Sequence, residues 1–177
     1  MATTTTKLLT VEEYLQIPDP PGGRYELYHG ELVNVTFPAN PHIRAQWQLR
    51  RLLERAAGES GAIVNELPYR PLAEYECWGA DIAYLTKERW DSIDRYLFGA
   101  PELVIEVLSP SNRSAKMRDK RKICLENGSR EFWIVDPKSH QVEVFTPDGH
   151  SIIYKSGQQI PLFFAAGATL AVDSIFE

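Results

Sequence analysis

Cysteine is scarce in this chain, with two residues, Cys77 and Cys124, among 177. Two cysteines are too few for a disulfide framework, and neither lies at zinc-finger spacing from a second cysteine or a histidine. We therefore expect both thiols to be reduced, and a fold held together by disulfides or a zinc finger is excluded.

Long apolar runs are also missing. Residues 1–7 are polar and lack the apolar core of a signal peptide, and no apolar stretch approaches the roughly 20 residues that cross a bilayer. We expect a cytoplasmic protein with no membrane partner and with a flexible tail over residues 1–8. The length of 177 residues and a hydrophobic content of 44% predict one domain, residues 1–177, with a substantial core.

An overall basic charge is absent as well, since the formal net charge is −5. This balance argues against a non-specific nucleic-acid coat, but it leaves a local basic cleft open. Basic side chains concentrate in residues 42–55 and 113–122. Each segment has two interpretations, a solvated helix face, which is the more common meaning of such runs, or a surface that binds phosphates. The candidate nucleic-acid contacts are Arg44, Arg51, Arg113, Lys116 and Arg121.

Two apolar runs and a charged segment between them form the centre of the sequence. Residues 101–108 and 131–136 are short apolar runs, each followed by a proline, and both are typical of interior strands. Residues 112–127 permit a helix and end at Gly128, the usual residue after a helix C-terminus. This order predicts a right-handed crossover in a parallel sheet that is covered on both faces.

The flanking segments predict the remaining elements from local turn and capping residues. Thr10 has the spacing of an N-cap for a short helix, and His29-Gly30 is typical of a two-residue hairpin turn. The other expected elements are a helix over residues 41–57, strands over 61–69 and 80–85, a short helix within 87–97, and a hairpin around 147–149.

Glu106 is a carboxylate inside the first central strand, between Ile105 and Val107. An ionised and unpaired carboxylate in such a run costs several kcal/mol, so it must be protonated, paired with a cation or bound to a metal. The alternative is a glutamate at a strand end that reaches solvent or a nearby arginine. Both interpretations stay open from this run alone, because structural ion pairs also perturb buried carboxylates.

Asp81 provides a second carboxylate at the start of the strand over residues 80–85. Two such strands could bring Asp81 and Glu106 together at one end of the sheet, which is the outline of a divalent-metal site. Considered alone, Asp81 is better explained as a turn residue at a strand start.

A cation for this site is expected in the following helix, because residue 108, on the same face as Glu106, is leucine. Met117 and Cys124 mark an apolar stripe, and Lys120 and Arg121 lie between them at i+3 and i+4. One of the two must face inward, and the pattern does not distinguish them. The alternative is a lysine whose amine reaches past the stripe to water.

These motifs occur together, and in order, in one known family. The matching segments are 25–32, His42, 80–83, 101–111, Asp119-Lys120, Gly128 and 131–137. Over roughly residues 8–150 the chain resembles the Uma-two family of restriction endonucleases, which belongs to the PD-(D/E)XK nuclease superfamily. Two positions depart from the usual pattern, since Ala80 replaces the proline of the superfamily name and Cys124 replaces a commonly aromatic residue.

The resemblance implies an α/β (α+β) restriction-endonuclease-like core, a mixed central sheet flanked by helices, with β-hairpin additions at both ends. It implies an endonuclease that depends on Mg²⁺ or Mn²⁺, hydrolyses phosphodiester bonds in DNA and acts as a homodimer. The alternative is a catalytically silent protein of the same fold that binds DNA or a partner. The residue roles that it implies are metal ligation by Asp81, Glu106 and the Val107 carbonyl, catalysis by Lys120 and Glu31, and support from Glu26 and His42.

Overall fold

The computed structural model of the chain describes residues 7–109 and 114–177. The helices are α1 (Val11–Tyr14), α2 (Asn40–Ala57), α3 (Lys87–Asp91) and α4 (Ser114–Glu126), and a 3-10 helix spans Asp173–Ile175. The strands are β1 (Gly23–Tyr28), β2 (Glu31–Thr36), β3 (Gly61–Arg70), β4 (Trp78–Thr86), β5 (Leu97–Phe98), β6 (Leu103–Val107), β7 (Glu131–Asp136), β8 (Gln141–Phe145), β9 (Ser151–Tyr154), β10 (Gln159–Pro161) and β11 (Thr169–Ala171).

A seven-stranded mixed sheet forms the centre of the molecule, in the order β5-β3-β4-β6-β7-β8-β9. Strands β6 and β7 run parallel and α4 connects them, which confirms the central strand, helix and strand predicted from residues 101–137. Strands β3 and β5 are also parallel, and the other neighbours are antiparallel. The mixed sheet flanked by helices is therefore confirmed.

Two hairpins lie outside this sheet, one near each end of the chain. Strands β1 and β2 pair around the His29-Gly30 turn, as predicted, and β10 pairs with β11 near the C-terminus. The predicted hairpin around residues 147–149 is present as β8 and β9, but it extends the central sheet. Residues 1–6 of the predicted tail lie outside the described part of the chain.

Helix boundaries follow local sequence signals. Thr10 and Glu13 form a complete capping box at the start of α1, in which each side chain accepts from the other residue's backbone N–H. Helix α2 begins with Pro41 in its first turn and ends at Gly58, which has a φ of 52° that favours glycine. No helix within residues 7–109 and 114–177 is both long enough and apolar enough to span a membrane.

Each face of the central sheet carries its own apolar core. The first face packs against α2 and the C-terminal segment, with Leu49, Ile105 and Trp133 fully buried. The second face packs against α4 and includes Val104 and Phe132. Because side chains alternate along β6, Glu106 points to the same face as Val104, toward α4.

The alternation of side chains between the two faces of the sheet is interrupted in β4 near Asp81. Ala80 belongs to the core on the α4 side and Ile82 to the core on the α2 side, although strict alternation would place both on one face. Glu66 in the neighbouring strand β3 has a φ of 52°, which is uncommon for a residue with a side chain. The β3 to β4 register omits the pair Glu66 and Asp81. The local break in the ladder therefore positions Asp81 between the two faces.

Candidate active site

Strands β4 and β6 separate next to Asp81, and its carboxylate fills the gap. The ladder between the two strands runs from Tyr84 and Leu103 to Ile82 and Ile105. Asp81 is the residue just before Ile82, and its Oδ2 accepts a hydrogen bond from the backbone N–H of Val107 at 2.7 Å. The side chain of Asp81 thus takes over the contact that a strand partner would make, and its carboxylate lies beside the peptide that follows Glu106.

Glu106 is buried on the α4 side of β6, with 9% of its side chain exposed. Its Oε1 lies 2.7 Å from Nζ of Lys120, a close ion pair whose angles do not meet hydrogen-bond geometry. Burial raises the pKa of Glu106 to about 8; Lys120 opposes this shift, and the nearby Asp81 adds to it. Burial therefore favours the protonated form of Glu106, and the Lys120 ammonium favours the ionised form.

Lys120 is the inward cation of α4, and this placement resolves the choice between Lys120 and Arg121. Its Nζ donates to the Gly79 carbonyl at 2.8 Å, and its side chain is 5% exposed. Burial alone would lower the pKa of Lys120, but attraction by Glu106 and Glu26 outweighs it and leaves this pKa raised. Lys120 is therefore a permanent cation at physiological pH.

Arg121 lies on a different side of α4. Its guanidinium stacks over the Phe145 ring, 4.0 Å from the ring centroid. The resulting cation–π contact accounts for this side chain without a role in the Glu106 site.

Glu26 enters the site from the β1 strand and is 5% exposed. It accepts the Gly79 N–H at 2.9 Å and the Lys116 ammonium at 3.0 Å. Burial raises the pKa of Glu26, but Lys120, Lys116 and the Gly79 N–H together leave it lowered. Gly79 thus binds Glu26 through its N–H and Lys120 through its carbonyl. A Cβ at Gly79 would lie 2.6 Å from the Arg24 guanidinium, so a larger residue there would displace the Arg24 side chain.

Glu31 lies outside this group of residues. It is exposed at the start of β2, opposite Tyr28 in the hairpin. Among the described residues, the acidic side chain that the hairpin contributes to the site is Glu26. The catalytic role expected for Glu31 therefore has no supporting contact in the described part of the chain.

His42 contacts Asp81 from α2. Its Nε2 lies 3.3 Å from Asp81 Oδ2, but neither ring nitrogen has a well-formed hydrogen bond among the described residues. Burial lowers the pKa of His42, and attraction by Asp81, Glu66 and Glu106 more than compensates, which leaves this pKa raised. His42 is thus a buried polar group aimed at one of the two candidate metal ligands.

Sequence reasoning missed Glu66 and Gln46, which border Asp81 on the opposite side from Glu106. Gln46 donates to Oε1 of Glu66 at 2.7 Å, and it lies 3.4 Å from the Asp81 carbonyl. Glu66 also pairs with Arg24. Nothing local in the sequence indicates the left-handed backbone at Glu66, because glutamate has no preference for it.

The five predicted nucleic-acid contacts lie in different environments. Arg44 is exposed, and Arg51 stacks over the Trp47 ring at 5.1 Å and donates to Gln48. Both lie about 180° to 200° around α2 from His42, at 100° per residue, so they do not line the Asp81 side of the helix. Lys116 is engaged with Glu26. Arg113 lies outside the described residues.

The donor set fits a hard divalent cation. Asp81 and Glu106 offer carboxylate oxygens, and the Val107 carbonyl lies on the same edge of β6 as the N–H that Asp81 binds. Mg²⁺ takes one or two carboxylates together with waters and substrate phosphates. Within residues 7–109 and 114–177, no group of three or more histidine, cysteine, aspartate or glutamate side chains is arranged to hold a metal ion.

This arrangement defines the class of protein. A mixed sheet whose strands separate at an aspartate, with a buried glutamate on the next strand and a lysine beside it, is a restriction-endonuclease-like fold. The family model described as "Putative restriction endonuclease", Uma2, matches residues 11–173. The chain therefore belongs to the Uma2 family, as the motifs predicted.

A solved structure supports the fold independently. The chain is similar to the crystal structure of "a putative nuclease belonging to DUF820" from Anabaena variabilis ATCC 29413, with a TM-score of 0.82 and 20% sequence identity. The similarity covers 95% of this chain and 97% of the other. The comparison with curated proteins finds no match. The family match supports a nuclease, and the structural similarity supports the fold.

Proposed function

We propose that this chain is a metal-dependent endonuclease that hydrolyses phosphodiester bonds in DNA. One observation carries the proposal: Asp81, Glu106 and Lys120 come from two strands and a helix and converge where β4 and β6 separate. Segments so distant in sequence have no local reason to bring two acids and an amine together. This combination is suited to binding a cation next to a phosphate.

The metal ligands in this proposal are Asp81, Glu106 and the Val107 carbonyl. All three are oxygen donors, which favours Mg²⁺ or Mn²⁺. A bound divalent cation would polarise the phosphate and lower the pKa of a water that attacks it. A cation also relieves the cost of an ionised Glu106 in a buried site, because it replaces the proton that burial favours.

Lys120 supplies a fixed positive charge in this mechanism. Its raised pKa keeps it protonated, so it does not act as a general base at neutral pH. Its Nζ is held by the Gly79 carbonyl and Glu106, which leaves the amine little freedom to rotate away. Lys120 therefore stabilises the negative charge that develops on the phosphate in the transition state.

Glu26 and His42 support these groups in the proposal. Glu26 adds negative charge near Lys120 and binds Gly79 and Lys116. His42 lies against Asp81 and restricts its orientation. Glu31 stays a proposed catalytic residue on the resemblance alone.

Nucleic acid is the proposed partner, with Arg44, Arg51, Arg113, Lys116 and Arg121 as proposed phosphate contacts. Lys116 reaches DNA only if it exchanges Glu26 for a phosphate. A homodimer is the proposed assembly, since two copies of the site can cut both strands. Light scattering on the purified protein tests that assembly.

A nuclease assay tests the proposed function. Plasmid, single-stranded DNA and RNA are incubated with Mg²⁺ or Mn²⁺ and with wild type, Glu106→Gln, Lys120→Ala or Glu143→Gln. Glu143 is a half-buried strand glutamate in β8, two strands from Glu106 in the sheet, and serves as the matched control. We expect cleavage of DNA by wild type and Glu143→Gln only. Equal cleavage by all four proteins would indicate a contaminant and contradict the proposal.

A further inference from the structure

His29 contacts a different carboxylate with each of its ring nitrogens. Nδ1 lies 2.6 Å from Oε1 of Glu76, and Nε2 lies 2.6 Å from Oδ2 of Asp119. The backbone N–H of His29 also donates to Glu76 at 3.0 Å. An ionised carboxylate only accepts, so with Glu76 and Asp119 ionised both contacts are hydrogen bonds only when both ring nitrogens carry a proton. The geometry therefore fits an imidazolium cation.

His29 and Gly30 are the two turn residues between β1 and β2, with φ values of 51° and 75°. Turns with two positive φ values favour asparagine or glycine, and histidine is among the other residues that adopt positive φ more often than most. The turn therefore accommodates histidine, and the two carboxylate contacts account for its ring.

These contacts connect the hairpin to the helix that carries Lys120. Asp119 precedes Lys120 in α4, and the Tyr28 hydroxyl donates to the same carboxylate. One turn earlier, Lys116 binds Glu26 of β1. The hairpin thus holds α4 at two points from outside. Since neighbouring helix residues point about 100° apart, fixing Asp119 outward helps to fix Lys120 inward.

We propose that His29 is a positioning residue, which in its protonated form holds α4 so that Lys120 stays against Glu106. The catalytic consequence rests on the proposed nuclease function, whereas the attachment of α4 does not. The charged groups around the ring are Glu76 from the segment before β4 and Asp119 from α4. Lys122 of α4 attracts Asp119, and Lys116 lies 5.3 Å from the Tyr28 ring centroid.

The protonation of His29 responds to these neighbours. Burial lowers the pKa of His29, but Asp119 and Glu76 together raise it by more. The net pKa therefore lies above the usual value near 6.5. The stabilisation is fully present below the unfolded-state pKa and is lost as pH rises through the raised folded-state pKa. Attachment of α4 should accordingly be strongest below pH 6.5 and weaken as pH rises through the raised pKa of His29.

Amide hydrogen exchange of α4 tests the inference without any nuclease assay. The variant His29→Asn removes the ring and keeps a residue that suits the turn, so loss of the hairpin does not confound the result. At pH 6.5 we expect protection factors of α4 amides to fall roughly fivefold, because half of the His29 side chain is exposed and the contacts are partly screened. His29→Arg, which keeps a permanent cation, should restore protection and remove its pH dependence.

A matched control is His150→Gln, which removes another histidine that pairs with an aspartate, Asp148, at 2.9 Å in a distant turn. It should leave α4 protection unchanged. Unchanged protection in His29→Asn, or equal loss in His150→Gln, would overturn the inference. If wild type cleaves DNA, His29→Asn should lower kcat with little change in KM; if wild type is inactive, the nuclease proposal fails while the exchange data still decide the role of His29.

Discussion

Nζ of Lys120 and Oε1 of Glu106 lie 2.7 Å apart in a buried position at the end of β6. The pair joins the helix after β6 to the strand itself, and it places the cation next to the only acidic residue of that strand. Burial raises the pKa of Glu106 and Lys120 opposes that shift. The charge of Glu106 should therefore respond both to pH and to an added metal ion.

Divalent metal should stabilise the protein through Asp81 and Glu106. We expect Mn²⁺ at about 100 times its dissociation constant to contribute roughly 2.7 kcal/mol, seen as an upward shift of Tm. The shift should disappear in Asp81→Ala and persist in Asp136→Asn, whose carboxylate binds Lys138 and Ser139 in a turn. An equal shift of Tm in Asp81→Ala would show that the metal binds elsewhere.

Metal affinity should depend on pH, because Glu106 must lose a proton to bind a cation. With a pKa of about 8, apparent affinity for Mn²⁺ should rise about tenfold per pH unit between pH 5 and 7 and level off above pH 8. Titration calorimetry in two buffers of different ionisation enthalpy should show release of about one proton per ion at pH 7. An affinity that is constant over this range would contradict the protonation state assigned to Glu106.

Without metal, Glu106 should make folding stability fall as pH rises. Its folded pKa of about 8 exceeds the unfolded value of 4.5, so its contribution is full below pH 4.5 and is lost as pH rises through 8. Relative to Glu106→Gln, wild type should lose about 1 kcal/mol of unfolding free energy per pH unit within this window. Urea unfolding with a chelator at pH 5, 6.5 and 8 measures the difference, and the opposite slope would refute it.

Lys120 and Arg121 are adjacent in sequence but should have different kinetic effects. Lys120→Ala should lower kcat by at least 100-fold, the usual effect of removing one group that stabilises transition-state charge. Arg121→Ala should leave kcat within about threefold and, by losing its contact with Phe145, reduce stability by about 1 kcal/mol. Steady-state cleavage and urea unfolding measure both, and similar kcat losses would show that the burial of Lys120 does not decide catalysis.

Glu26 and Glu31 provide a second matched pair. Glu26→Gln removes the buried partner of Lys116 and should cost about 3 kcal/mol of unfolding free energy. Glu31→Gln changes an exposed residue and should stay within about 0.5 kcal/mol of wild type. Cleavage by Glu31→Gln decides whether Glu31 is catalytic, and a strong loss of activity with normal stability would support the role expected from the resemblance.

Local signals in the sequence predicted most of the elements. The hairpin at His29-Gly30, the helix that ends at Gly58 and the crossover unit of residues 101–137 all follow from turn residues and apolar spacing. Backbone preferences and burial patterns act over a few residues, so they can be read from short segments. The resemblance to the family predicted the mixed sheet and the candidate site residues Asp81, Glu106 and Lys120.

The sequence by itself determined which strand would carry a buried acid and which helix would follow it. Only the tertiary structure decided that Lys120, and not Arg121, faces Glu106, and that Glu26, and not Glu31, joins them. Helix rotation, the break in the ladder at Glu66 and the attachment of α4 through His29 arise from contacts between distant segments. Such contacts depend on how whole elements pack, and spacing along a single element does not specify that packing.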